Sequence, residues 1–177
     1  MSILTLSYEA ARSHIKSGDI VFIKDSPTFL ASIIRLFTRS KYSHVGIAFW
    51  MTSGGVERLM MVEAQGGTRR RIVNLSKYRN VDLDVVHAPE IWGAAVGIAL
   101  ERLSEVPYGY LEALYVGIVE ALQQYFDITI PRKNFSGEIC SEFVARIYNL
   151  PSKHVSPQAL FDQLIQEGHA LKLLVRE

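Results

Sequence analysis

The segment YSHVGIAFW, residues 42–50, is the stretch of sequence that decides the fold. Its β-branched and aromatic residues are typical of a strand, in which successive side chains point to opposite faces. One predicted face carries large apolar residues, namely Val45, Ile47 and Phe49. The other face carries a histidine, two small residues and a tryptophan: His44, Gly46, Ala48 and Trp50. Because small residues allow another element to pack closely, we expect a helix, that of Cys140, to lie on this second face beside His44.

A second strand follows closely, and a glycine-containing loop joins the two. Thr52–Gly55 is typical of a hairpin loop, and Arg58–Ala64 has the composition of a strand. In an antiparallel hairpin, the start of the first strand lies near the end of the second. His44 starts one strand and Glu63 ends the other, so the sequence predicts that these two side chains lie near the same end of the sheet.

Strand patterns dominate the first half of the chain and helical patterns the second. Further strands are predicted at Asp19–Lys24, Arg71–Leu75, Leu83–His87 and Leu171–Val175. Helices are predicted over residues 7–16, from Ser26, over 91–103 and 111–125, from Cys140 and from Ser156. This order favours one α+β domain over residues 1–177, with residues 1–17 as a leading helix. In it, an antiparallel sheet or half-barrel packs against a helical layer.

Composition is that of an ordinary globular protein. The chain has 177 residues, of which 21% are charged, and a net charge of +1, so bulk electrostatics do not favour a nucleic-acid partner. The single cysteine excludes an internal disulfide and suits a reducing compartment. The sequence shows no signal-peptide pattern and no apolar run long enough for a transmembrane segment, so we expect a cytoplasmic location.

The only cysteine, Cys140, is predicted to lie in the first turn of a helix. Apolar residues recur after it at helical spacing, at Phe143, Val144, Ile147 and Tyr148. Backbone N–H groups and the dipole at a helix N-terminus favour a thiolate and can bind an oxyanion. A lone cysteine in a helix is nevertheless more often a small buried apolar residue than a nucleophile.

A nucleophilic cysteine needs a base, and the base needs a residue that orients it. Five histidines are available: His14, His44, His87, His154 and His169. Composition does not choose among them, but the small residues that follow His44, and Glu63 on the neighbouring strand, favour His44.

Three consecutive arginines, Arg69, Arg70 and Arg71, open a predicted strand. We expect them to be solvent-exposed on an edge strand and replaceable without loss of folding. Contact with an anionic substrate is the alternative interpretation.

Six short motifs occur in a fixed order between residues 18 and 160: GDIVFI at 18–23, SHVGIA at 43–48, MVEAQ at 61–65, PYGY at 107–110, CSEFV at 140–144 and SPQAL at 156–160. Together they resemble the circularly permuted NlpC/P60 peptidases of the YaeF/YiiX type, within the papain-like superfamily. Lecithin retinol acyltransferase-like proteins are distant relatives. The resemblance implies a permuted papain-like fold, in which Cys140 is the nucleophile, His44 the base and Glu63 the polar third member. Tyr42 and Tyr108 are the expected substrate-binding residues.

The resemblance implies hydrolysis of an amide bond, in a peptidoglycan peptide or an isopeptide-like linkage, through an acyl-enzyme. No metal or other cofactor is expected. Two alternatives remain: an acyltransferase or thioesterase acting on lipid-like substrates, and a binding protein with no activity. A cell-wall substrate would require another exit route for a cytoplasmic protein, such as carriage in a virion or release by lysis.

Overall fold

A computed structural model describes residues 4–24, 40–64, 70–87, 139–152 and 155–176. The helices predicted from Ser26, over 91–103 and over 111–125 lie outside these residues, as do Tyr108 and Arg69. No helix among the described residues is both long enough and apolar enough to cross a membrane.

Seven strands of the described chain form one sheet. They are β1 (Leu4–Leu6), β2 (Ile20–Ile23), β3 (His44–Ser53), β4 (Val56–Ala64), β5 (Arg70–Asn74), β6 (Leu83–Val86) and β7 (Leu171–Val175). Their order across the sheet is β1-β7-β6-β2-β3-β4-β5. The β1–β7 pair is parallel, and the other pairs are antiparallel. The α+β class is therefore confirmed, but the sheet is mixed rather than wholly antiparallel.

Three α-helices accompany the sheet in the part of the chain that the structure describes. Helix α1 (Tyr8–Ala11) continues as a 3-10 turn over Arg12–His14, so the leading helix is shorter than the sequence predicts. Helix α2 (Cys140–Ile147) begins at the cysteine. Helix α3 (Pro157–Gln166) starts behind Ser156, whose side chain accepts a hydrogen bond from the backbone of Ala159.

The two faces of the sheet pack against different hydrophobic cores. Helix α2 lies on the face that carries the large apolar residues of β3, and not on the face that carries His44 and Gly46. Helix α2 packs with Val45, Ile47 and the other large residues of that face. The opposite face, which includes Ala48, packs with α1 and with Met61. The expectation that the cysteine helix covers the face of small residues is therefore wrong.

The small residue at position 46 has a different cause. A Cβ atom added to Gly46 would lie 2.8 Å from Cγ of Met61 and 2.8 Å from the backbone oxygen of Val62. The glycine therefore makes room for the neighbouring strand β4 and its methionine, and not for a helix.

Candidate active site

The β3–β4 hairpin brings His44 and Glu63 into contact. Gly46 is paired with Glu63 across the two strands, so the side chain of His44, two residues before Gly46, lies on the same face as the carboxylate. Nε2 of His44 lies 2.9 Å from Oε2 of Glu63. Both residues are buried, and Glu63 is fully so.

Cys140 completes this arrangement from the end of the sheet. It is the first residue of α2, it is buried, and its thiol is close enough to the His44 ring to raise the pKa of that ring. Cys140 and His44 are each the first residue of their element. The thiol can therefore approach the imidazole at the end of β3, although the rest of α2 packs on the face of the sheet opposite to that of the His44 side chain.

Side-chain hydrogen bonds hold α2 at both of its ends. Glu142 accepts a hydrogen bond from the backbone N–H of Ile139, just before the helix. Ser141 donates to the backbone oxygen of Val155. At the far end, the Tyr148 hydroxyl donates to the backbone oxygen of Gly18 at 2.7 Å. The Tyr148 contact ties α2 to the segment that leads into β2.

The charges in the site favour an imidazolium beside a carboxylate. Burial lowers the pKa of His44, but the charge and hydrogen bond of Cys140, followed by those of Glu63, outweigh burial and raise it to about 10. For Glu63, burial raises the pKa, but the hydrogen bond and charge of His44, with contributions from Tyr78 and Lys77, bring it down to about 2. Glu63 is therefore ionised at neutral pH.

Three further residues contact Glu63, and sequence reasoning did not identify their role. Nε and Nη2 of Arg71 each lie 2.8 Å from Oε1, and Nζ of Lys77 lies 3.5 Å from the same oxygen. The hydroxyl of Tyr78 donates to Oε2 at 2.7 Å. Burial, followed by the charge of Glu63, raises the pKa of Tyr78, so the hydroxyl remains a donor.

The sequence contained a signal for one of these three. Arg71 lies directly opposite Glu63 in the β4–β5 ladder, where opposite charges commonly pair. Lys77 and Tyr78 belong to a 3-10 turn over Leu75–Tyr78, which no periodicity links to Glu63.

The expectation that the arginines are largely solvent-exposed is wrong for the two that the structure describes, while their replacement without loss of folding stays a prediction. Consecutive side chains of β5 point to opposite faces, so Arg70 lies under α2 while Arg71 reaches Glu63. Arg70 is buried, and its guanidinium lies 5.0 Å from the centre of the Phe143 ring. The side chain of Arg71 is 34% exposed and paired with Glu63.

Tyr42 is a core residue in this structure, and its expected role in substrate binding stays a prediction. It is 2% exposed, and its ring packs against Phe22 and Phe161. Its hydroxyl donates to Oδ2 of Asp84 at 2.6 Å. Asp84 on β6 thus satisfies the hydroxyl group inside the core, which the sequence alone could not show.

Within the described ranges, no group of three or more histidine, cysteine, aspartate or glutamate side chains could hold a metal ion.

No protein-family model and no curated protein matches this sequence. Among solved structures, the chain matches the metalloprotein yiiX (DUF1105) from Escherichia coli O157:H7 with 20% sequence identity and a TM-score of 0.47. The match covers 83% of this chain and 92% of yiiX. The chain is thus similar in structure to yiiX over most of the length of both chains.

Proposed function

We propose that this chain is a thiol-dependent hydrolase that cleaves an amide bond through a triad of Cys140, His44 and Glu63. The observation that carries the proposal is the buried carboxylate of Glu63, which lies 2.9 Å from the His44 ring. A carboxylate in this position holds an imidazole in one orientation and stabilises its protonated form. The thiol of Cys140, which lies beside the same ring, is then placed to act as the nucleophile.

In this proposal each ring nitrogen of His44 has its own role. Nε2 is engaged with Glu63, which leaves Nδ1 for the thiol of Cys140. The thiol proton passes to Nδ1, and the thiolate attacks the carbonyl carbon of the substrate. As the C–N bond breaks, the imidazolium returns the proton to the leaving amine.

Water then resolves the thioester that has formed on Cys140. His44 takes one proton from the attacking water, and the C–S bond breaks to release a carboxylic acid. The thiolate and the imidazolium are thereby restored. In this cycle Glu63 remains ionised and supports the positive charge on His44 each time it forms, in line with its pKa of about 2.

The negative oxygen that develops during attack needs a hydrogen-bond donor. The N–H groups in the first turn of a helix have no acceptor within that helix. Cys140 is the first residue of α2, so we assign its backbone N–H to this role.

The substrate class in this proposal comes from the sequence resemblance: a peptidoglycan-type peptide or an isopeptide-like amide. A permuted papain-like domain over residues 1–177, a site completed by Tyr108 and a cytoplasmic location remain predictions.

Reaction with class-selective probes tests the proposal. The protein and its Cys140→Ala and His44→Ala variants are incubated with a peptidyl vinyl sulfone or with a long-chain acyl thioester, and the labelled residue is identified by peptide mass spectrometry. We expect the vinyl sulfone to label Cys140 rapidly in the parent and slowly in His44→Ala. Preferential labelling by the acyl thioester would refute the amide assignment. Labelling no faster than that of a free thiol would refute catalysis by Cys140.

A further inference from the structure

We propose that Tyr78 is a positioning residue that holds the Glu63 carboxylate so that Oε2 faces the His44 ring. This inference rests on the proposed function of the triad and adds to it a residue outside the sequence motifs.

The contacts of Glu63 divide between its two oxygens. Both nitrogen contacts of Arg71 fall on Oε1, at 2.8 Å each. Arg71 therefore neutralises the charge and fixes one oxygen, but it does not by itself fix the rotation of the carboxylate about that point. Oε2 is shared by Nε2 of His44 at 2.9 Å and the hydroxyl of Tyr78 at 2.7 Å. The hydroxyl thus fixes the oxygen that the imidazole uses.

Tyr78 is itself held firmly in place. It ends the 3-10 turn over Leu75–Tyr78, in which the side chain of Asn74 accepts a hydrogen bond from the backbone of Ser76. Tyr78 is only 3% exposed, and its ring centre lies 6.3 Å from that of His44. A buried donor on a short turn can hold the carboxylate without reaching the reacting atoms.

Loss of this hydroxyl has a specific consequence for Cys140. Without it, the carboxylate can rotate away from Nε2, and the imidazolium loses a fixed acceptor. The thiolate–imidazolium pair then becomes less stable relative to the neutral pair, so alkylation of Cys140 becomes slower. Because the hydroxyl acts through Glu63, its removal should have no further effect once the carboxylate has been replaced by an amide.

The test measures the rate of Cys140 alkylation by iodoacetamide as a function of pH. The proteins compared are the parent, Tyr78→Phe, Glu63→Gln, the double variant and His44→Ala. A charge-assisted hydrogen bond in a buried site justifies an expected slowing on the order of tenfold at mildly acidic pH in Tyr78→Phe. We expect the double variant to match Glu63→Gln, as non-additivity requires of two groups that act together.

Tyr8→Phe is a control, because it also removes the hydroxyl of a buried tyrosine in the core that contains Tyr78. It should leave the alkylation profile unchanged. A Tyr78→Phe profile equal to that of the parent would overturn the inference. The inference would also be overturned if Tyr78→Phe slowed alkylation equally in the parent and in the Glu63→Gln variant. Identical profiles for the parent and His44→Ala would instead overturn the proposed function itself.

Discussion

Substitution of Gly46 by alanine tests how the β3–β4 hairpin sets the distance between His44 and Glu63. The added Cβ would lie 2.8 Å from three atoms: Cγ and Sδ of Met61 and the backbone oxygen of Val62. The methionine side chain can rotate, but the oxygen of Val62 is part of the backbone of β4, which is paired with β3 along its length. The strain must therefore move one strand relative to the other.

The cost follows from the size of this conflict. Insertion of one extra carbon into a well-packed core typically destabilises a protein by about 1–3 kcal/mol. The unyielding backbone contact places Gly46→Ala at the upper end, so we expect the free energy of unfolding to fall by about 3 kcal/mol. Because Gly46 is paired with Glu63, the same displacement should move the carboxylate away from the His44 ring.

Two measurements check this reasoning, with Gly54→Ala as the control. Urea denaturation gives the change in the free energy of unfolding, and the rate of alkylation of Cys140 at mildly acidic pH reports on the His44–Glu63 pair. A Cβ at Gly54 would meet no atom within 4 Å, but the residue has a φ of +60°. Its substitution should therefore cost about 1 kcal/mol through backbone strain and leave alkylation unchanged. A loss of less than about 0.5 kcal/mol in Gly46→Ala, with parental alkylation, would refute the packing argument.

Arg70→Ala should lower the free energy of unfolding by about 1–2 kcal/mol, because it removes a buried cation–π contact with Phe143, and thermal unfolding will show whether it does. A change no larger than that of Arg58→Ala on the exposed part of β4 would contradict this role. Glu63→Gln should make the free energy of unfolding less dependent on pH in the acidic range. The pKa of Glu63 is lowered from 4.5 to about 2 on folding, so its ionisation contributes stability above pH 4.5 that is lost as the pH falls through 2. Urea unfolding across this pH range should therefore show that the free energy of unfolding falls more steeply with decreasing pH in the parent than in the variant. Equal pH dependence in the two proteins would refute the assignment.

The sequence could predict the hairpin because its signals are local. Alternation over residues 42–50 and glycines at the turn are enough to define two antiparallel strands, and the pairing of their ends follows from geometry alone. The proximity of His44 to Glu63 is a consequence of that register. Strand β1 escaped prediction because three residues are too few to show a period, and it is stabilised by pairing with β7.

The rest depends on contacts between residues that are distant in sequence. Alternation separates the two faces of β3, but it does not indicate which face the cysteine helix will cover. The glycine at position 46 is required by close contact with strand β4 and not by a helix. Arg70 was expected at the surface because arginine is usually exposed, and Tyr42 was expected to bind substrate. Their burial depends on partners from other elements, Phe143 and Asp84, whose positions the local sequence does not report.

The grouping of polar and charged residues around Glu63 has a consequence for the order of folding. His44, Arg71, Lys77 and Tyr78 all lie within residues 44–78, whereas Cys140 arrives from a much later part of the chain. Contacts between residues close in sequence require little loop closure and form early, while distant ones form late. His44 and Glu63 can thus assemble on a nascent chain before the cysteine helix docks. In the proposed mechanism the thiol has no imidazole to activate it until docking, so the reactivity of Cys140 would be restricted to chains that have completed their tertiary structure.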